Sequence, residues 1–179
     1  NLIQQLEKHF IKFDEIIEKY KLEKIKTIGD AYMALAGVTE NNPEPAIRAC
    51  LAAIEIRNYM RTEQDTAIAM KKDFWEIRIG MHMGPLVAGI IGTSKYNFDV
   101  WGDTVNIASR TESSSKSGSI SITSSILEPI KNYFHTTPRG KIDITKRGGA
   151  IEMFYLNELD HSFSMYNDGA YPSTDLRLK

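Results

Sequence analysis

The chain has 179 residues, 42% hydrophobic and 25% charged, which suits one globular domain with a real core. With a formal net charge of −1, nothing suggests a surface for nucleic acid or an anionic membrane. The single cysteine, Cys50, argues against a disulfide framework and fits a reducing compartment, so a cytoplasmic location is expected. No apolar run approaches the roughly 20 residues that span a bilayer. The chain opens at Asn1, and Leu2, Leu6, Phe10, Phe13, Ile17 and Tyr20 recur at helical spacing from the outset. A longer parent chain is therefore expected, with any regulatory domain or membrane tether located there.

After this first helix, Glu23 to Ile28 reads as a strand, Gly29-Asp30 as a turn and Ala31 to Ala36 as the return strand of a hairpin. Asn41-Asn42-Pro43-Glu44-Pro45 signals a helix start, and Ile47, Leu51, Ile54 and Tyr59 line one side of the helix that follows. Arg61 to Asp73 is polar and reads as a connector. Trp75 to His82, Leu86 to Ile91 and Asn97 to Trp101 read as strands, and Asp103 as the cap of a helix running to Ser113. Ser119 to Thr123 is predicted as a strand and Ser124 to Tyr133 as a helix. Strands are also predicted around Phe134, over Lys141 to Thr145 and over Ile151 to Asn157. Residues 159–179 lose periodicity and read as a C-terminal tail. Strand and helix patterns mix without βαβ alternation, so the expected class is α+β, an antiparallel-rich sheet with helices on one face.

A few side chains in this frame carry chemistry. Asp30 at the hairpin tip is an oxygen donor suited to magnesium, although Gly-Asp is also ordinary turn chemistry. A two-metal phosphoryl site needs a second carboxylate beside it. Lys26 only donates hydrogen bonds and the Asp99 carboxylate only accepts them. Taken together they complement adenine, whose edge offers a ring-nitrogen acceptor and an amino donor. Guanine presents the reverse pattern, and a buried mismatch costs about 1–3 kcal/mol per unsatisfied group. Asn106 and Arg110 are four residues apart and share a helix face. They form either an exposed polar stripe or a pair that orients a nucleotide and stabilises charge developing on phosphorus. Arg78 is a solvated strand position or a phosphate contact. Lys146, in Lys146-Arg147-Gly148-Gly149, is a loop lysine or a phosphate contact. His82 has no second ligand at metal spacing and reads as structural. The glycine-rich dinucleotide and phosphate-loop patterns are absent.

Jointly these segments resemble the class III nucleotidyl cyclases, over roughly Asn1 to Glu158. Lys24-Ile25-Lys26-Thr27-Ile28-Gly29-Asp30-Ala31-Tyr32-Met33 is similar to the family's second-metal segment, and Phe98-Asp99-Val100-Trp101-Gly102-Asp103-Thr104-Val105-Asn106 to its second block. The resemblance implies a ferredoxin-like core over residues 1–158, with Asp30 as a metal ligand and Lys26 and Asp99 as base-reading residues of the adenylyl branch. It also implies Asn106 and Arg110 as the transition-state pair, and Arg78 and Lys146 as phosphate contacts. Thr145-Lys146-Arg147-Gly148 departs from the family's usual Lys-Gly-Lys-Gly. The implied reaction is ATP to 3′,5′-cyclic AMP and pyrophosphate, with two Mg²⁺ or Mn²⁺ ions per site. The implied assembly is a homodimer whose sites are shared between subunits. The family's opening strand, of the type Phe-Ala-Asp-Ile-Val-Gly-Phe-Thr, has no counterpart in the chain, so the other metal aspartate is expected upstream in the parent. Two alternatives stand beside this reading: a guanylyl cyclase, and a catalytically inactive nucleotide-binding or dimerisation module.

Overall fold

The computed structural model describes residues 2–38, 44–92, 97–143, 149–173 and 176. The elements run α1 Leu2–Lys19, β1 Glu23–Ile28, β2 Ala31–Leu35, α2 Pro45–Ala69, β3 Ile79–Met81, β4 Val87–Ile91, β5 Asn97–Trp101, α3 Asp103–Ser113, β6 Ile120–Thr123, α4 Ser124–Ile130, β7 Phe134–Asp143 and β8 Ala150–Leu159. Among the described residues the strands form a four-stranded sheet, ordered β3-β6-β8-β7, and two separate hairpins, β1-β2 and β4-β5. The β3-β6 pair is parallel and the other pairs are antiparallel. This is the α+β, antiparallel-rich architecture that the sequence implies.

The core sits between the four-stranded sheet and three helices. Ile16 and Tyr20 of α1, Cys50, Leu51 and Ile54 of α2, and Ile126 and Ile130 of α4 meet Ile120, Ile122, Phe154 and Leu156 of the sheet. Burial pushes the Cys50 thiol up, so it stays protonated and inert. Every residue of β6 is buried, because its alternate side chains face two layers. Ile120 and Ile122 enter the core, while the Ser121 hydroxyl lies 2.8 Å from that of Ser115, just beyond α3. Helix α3 therefore covers the face opposite the other three helices, where the sequence suggested helices on one face.

Several boundaries differ from the sequence reading for local reasons. Helix α2 continues through the polar stretch to Ala69, with Pro45 in its first turn. Arg, Glu, Gln and Ala favour helix even where no core faces them. The Thr62 and Thr66 hydroxyls bond back to the carbonyls of Asn58 and Thr62, which satisfies them within the helix. Strand β3 is confined to Ile79–Met81, because its partner β6 offers few ladder positions. Strand β7 is one ten-residue strand rather than two short ones. It lies at the sheet edge, where register shifts at His135/Thr136 and Pro138/Gly140 absorb the residues that read as breakers. Helix α3 starts at Asp103 after Gly102, and no side chain caps it; Asp103 instead places a negative charge in the first turn. Beyond β8, a short 3₁₀ turn at His161–Phe163 leads into a segment that returns to the sheet. There Leu159 N–H donates to Gly169 O (3.0 Å), and Phe163 packs against the core.

Candidate active site

The β1-β2 hairpin closes through a two-residue turn, because Ile28 pairs with Ala31. Gly29 takes φ +62° at the first central position, which favours glycine, and this leaves Asp30 exposed at the tip. Between Lys24, opposite Ala34, and Lys26, opposite Met33, the register slips by one residue. In a regular strand Lys24 and Lys26 would share a face. The bulge re-aims them, as bulges do beside functional sites. Lys24 turns to Asp14 on α1 (2.8 Å) and Lys26 to Asp99 on β5.

Lys26 and Asp99 meet although 73 residues separate them in sequence. The Lys26 ammonium donates to both Asp99 oxygens, at 2.8 and 2.7 Å, and the Val100 N–H donates to Oδ1 at 2.8 Å. These donors, Lys26 foremost, hold the Asp99 carboxyl below the usual carboxylate range. Neither side chain is fully buried. A donor and an acceptor thus stand side by side at the hairpin's flank.

From Asp99 the chain runs through Gly102 into α3, so the Asp99 carboxylate and the Asn106–Arg110 pair share one short segment. Thr104 and Thr111 are buried, and the Thr104 hydroxyl donates to Pro85 O. Asn106 is exposed on another side of the helix, and Arg110 is half-buried one turn further on. The helix is held at its far end. Glu112 presses on β3, where a Cβ at Gly80 would come within 2.0 Å of Glu112 N. Arg139 of β7 places its guanidinium at the C-terminal end of α3. Its Nη1 donates to Ser114 Oγ (3.1 Å) and its Nη2 to Ser114 O, while the cation lies 5.6 Å from the Tyr155 ring centroid. A cation there also complements the helix dipole. Arg78 joins the same end, donating from Nε to Glu112 Oε1 at 3.0 Å.

The structure therefore brings Lys26 and Asp99 together, sets Asn106 and Arg110 on one helix, puts Asp30 at the hairpin tip and pairs Arg78 with Glu112. Lys146 lies outside the described residues. His82 hydrogen-bonds Thr123 Oγ1 (2.7 Å) and Ser125 Oγ (3.3 Å), as fits a structural role. Sequence reasoning missed Gly80, Arg139 and the Asp14 contact of Lys24, because each acts through a residue distant in sequence and no local pattern marks it. Among the described residues no group of three or more His, Cys, Asp or Glu is placed to hold a metal ion. Magnesium is commonly held by one or two carboxylates together with waters and phosphates. Asp30 fits as one such donor, not as a complete cage.

The comparisons with known proteins decide the family. The model of the adenylate and guanylate cyclase catalytic domain matches residues 1–158. This chain belongs to the class III nucleotidyl cyclases. The cyclase domain is 33% identical over 156 residues to an adenylate cyclase of Mycobacterium tuberculosis, covering 87% of this chain and 34% of that protein. It is 34% identical over 172 residues to the germination-specific adenylate cyclase of Dictyostelium discoideum, covering 93% of this chain and 20% of that protein. The chain thus spans about a third or less of the curated relatives' length. Among solved structures, it is similar to the guanylate cyclase domain of RhGC from Catenaria anguillulae in complex with GTP. That likeness has a TM-score of 0.78 and 32% identity, and covers 88% of this chain and 84% of that one. Cyclases of both base specificities thus stand among the similar proteins.

Proposed function

We propose that this cyclase domain acts on ATP, converting it to 3′,5′-cyclic AMP and pyrophosphate. The observation that carries the reading is the contact between Lys26 and Asp99. It supplies one donor and one acceptor side by side, and adenine, with a ring-nitrogen acceptor and an amino donor, complements such a pair. In the reaction the ribose 3′-oxygen attacks the α-phosphorus, its proton is lost, and the bond to the leaving pyrophosphate breaks. Asn106 would orient the ribose or phosphates, and Arg110 would stabilise charge that develops on the phosphorus. Arg78 would contact the triphosphate after releasing Glu112, and Lys146 would contact it as well. Asp30 would hold a divalent ion, Mg²⁺ or Mn²⁺ and one of two per complete site, whose chemistry when bound is to neutralise the triphosphate and acidify the 3′-hydroxyl.

The domain would work as a homodimer. Lys26 and Asp30 lie on one short hairpin, in its first strand and at its tip, whereas the base and triphosphate of a nucleotide lie at opposite ends of the molecule. One hairpin therefore cannot readily serve both ends of one ATP, and the partner's hairpin would supply the other function. The β4-β5 arm supports this reading: Val87, Ile90 and Ile91 are exposed on it, with Phe98 and Trp101 opposite. An isologous C₂ contact would cover such a surface.

Steady-state rates with ATP and GTP test the assignment, measured on the protein that carries this chain. The expected result is a preference for ATP that Lys26→Glu with Asp99→Cys erodes by about 5- to 150-fold, the equivalent of about 1–3 kcal/mol. Equal or faster turnover of GTP by the unaltered protein overturns it.

A further inference from the structure

Asp14 lies on α1, away from the base-reading pair and from α3, yet its carboxylate binds both strands of the hairpin that carries Lys26 and Asp30. Tyr32 of β2 donates to Oδ1 at 2.6 Å, and Lys24 of β1 donates to Oδ2 at 2.8 Å. The Lys24 ammonium also stands 5.2 Å from the Tyr32 ring centroid. That ring packs edge-on against Phe13 of α1 at 5.5 Å and tilted against Phe10 at 5.4 Å. Burial alone would raise the Asp14 carboxyl, but the bonds from Lys24 and Tyr32 outweigh it and hold the group below its ordinary value. Asp14 is thus charged wherever the domain is folded near neutral pH.

Among the described residues the hairpin's ladder joins no other strand. Besides the packing of Tyr32 on α1, two ion pairs hold it, Lys24–Asp14 on the α1 side and Lys26–Asp99 on the β5 side. The bulge at Ile25 lets neighbouring lysines of one strand reach these two partners.

We propose that Asp14 is a positioning residue for purine selection: by clamping both strands of the hairpin on α1, it sets where Lys26 meets Asp99. The link to selection rests on the reading of Lys26 and Asp99 given above, whereas the clamp itself does not. Through Asp14 the position of the hairpin follows that of α1.

The test follows the Asp99 side-chain carboxyl by carbon NMR in the full chain, from pH 7 down to about pH 2, a range that spans the ordinary aspartate value of about 3.9 and the lower range in which the paired Asp99 titrates. Lys26→Met gives the reference for a lost pair. Asp14→Asn, and independently Lys24→Met with Tyr32→Phe, are expected to shift the Asp99 titration more than halfway toward that reference. Thermal melts should show these variants still folded, and Asp14→Glu should restore the wild-type curve. An Asp99 titration unchanged from wild type in the folded variants overturns the clamp. So does unfolding of every variant, since Asp14 would then serve stability alone. The ATP-to-GTP ratio of kcat/KM is read in parallel. It should fall roughly tenfold in Asp14→Asn, less than the roughly hundredfold that a 1 Å misplacement can cost. If the titration moves and the ratio does not, the clamp stands and the purine reading of Lys26 and Asp99 fails.

Discussion

Gly80→Ala is the substitution that most directly separates the placement of α3 from the chemistry proposed for it. Gly80 lies in the middle of β3, and an added Cβ would come within 2.0 Å of the Glu112 nitrogen and 2.4 Å of its Cα. Both are backbone atoms, so no side-chain rotation relieves the contact. To reach an ordinary contact of 3.4 Å, the last turn of α3 must retreat by about 1.4 Å. Overpacking of this kind costs about 1–3 kcal/mol of stability. The helix is also tethered by Arg139 at Ser114 and by Arg78 at Glu112, so the movement is expected to tilt α3 rather than melt it. Asn106 and Arg110 ride on that helix. A displacement of roughly 1 Å at a reacting centre lowers rates by about 10²-fold. The expected outcome is a variant whose thermal midpoint falls by several degrees, whose kcat for cyclic nucleotide formation falls by about two orders of magnitude, and whose ATP-to-GTP preference is retained. Preference should survive because Lys26 and Asp99 lie on other elements. Rates, melts and the selectivity ratio measured on the same preparation check it. A folded Gly80→Ala variant with near wild-type kcat would refute the reasoning that α3 must sit hard against β3 for the site to work.

Two further outcomes are expected. Mixing Asp30→Ala and Arg110→Ala variants of the protein that carries this chain should restore a fraction of wild-type cyclase activity, because one site of the mixed dimer then carries neither lesion. Heterodimers as inactive as either parent would exclude shared sites. Domain stability should fall as pH drops below 6.5, because burial holds His9 and His82 below that ordinary imidazole value. The unfolded chain then binds protons that the folded one refuses, so stability is lost with falling pH. Urea unfolding at pH 7.5 and 5.5 reads this, and replacing both histidines by glutamine should flatten the dependence.

Much of the site was legible in the chain as written. The Gly29-Asp30 turn, the strand of Lys26, the strand of Asp99 and the Asn106–Arg110 helix all follow from local rules, since turn chemistry, strand alternation and helical spacing act within a few residues. The family resemblance could rest on those segments for the same reason. The contacts that join them could not be read there. Alternation alone would have put Lys24 and Lys26 on one face, and it is a bulge that sends one to α1 and the other to β5. Nothing near Gly80 announces that Glu112 of a helix, 32 residues later, lies against it, and nothing near Arg139 announces Ser114. Local sequence determined which groups are available and which face of their own element they occupy. Which groups meet was decided by the packing of the hairpin on α1 and of α3 on β3, where close contact between distant backbones selects one arrangement from many that the local preferences allow.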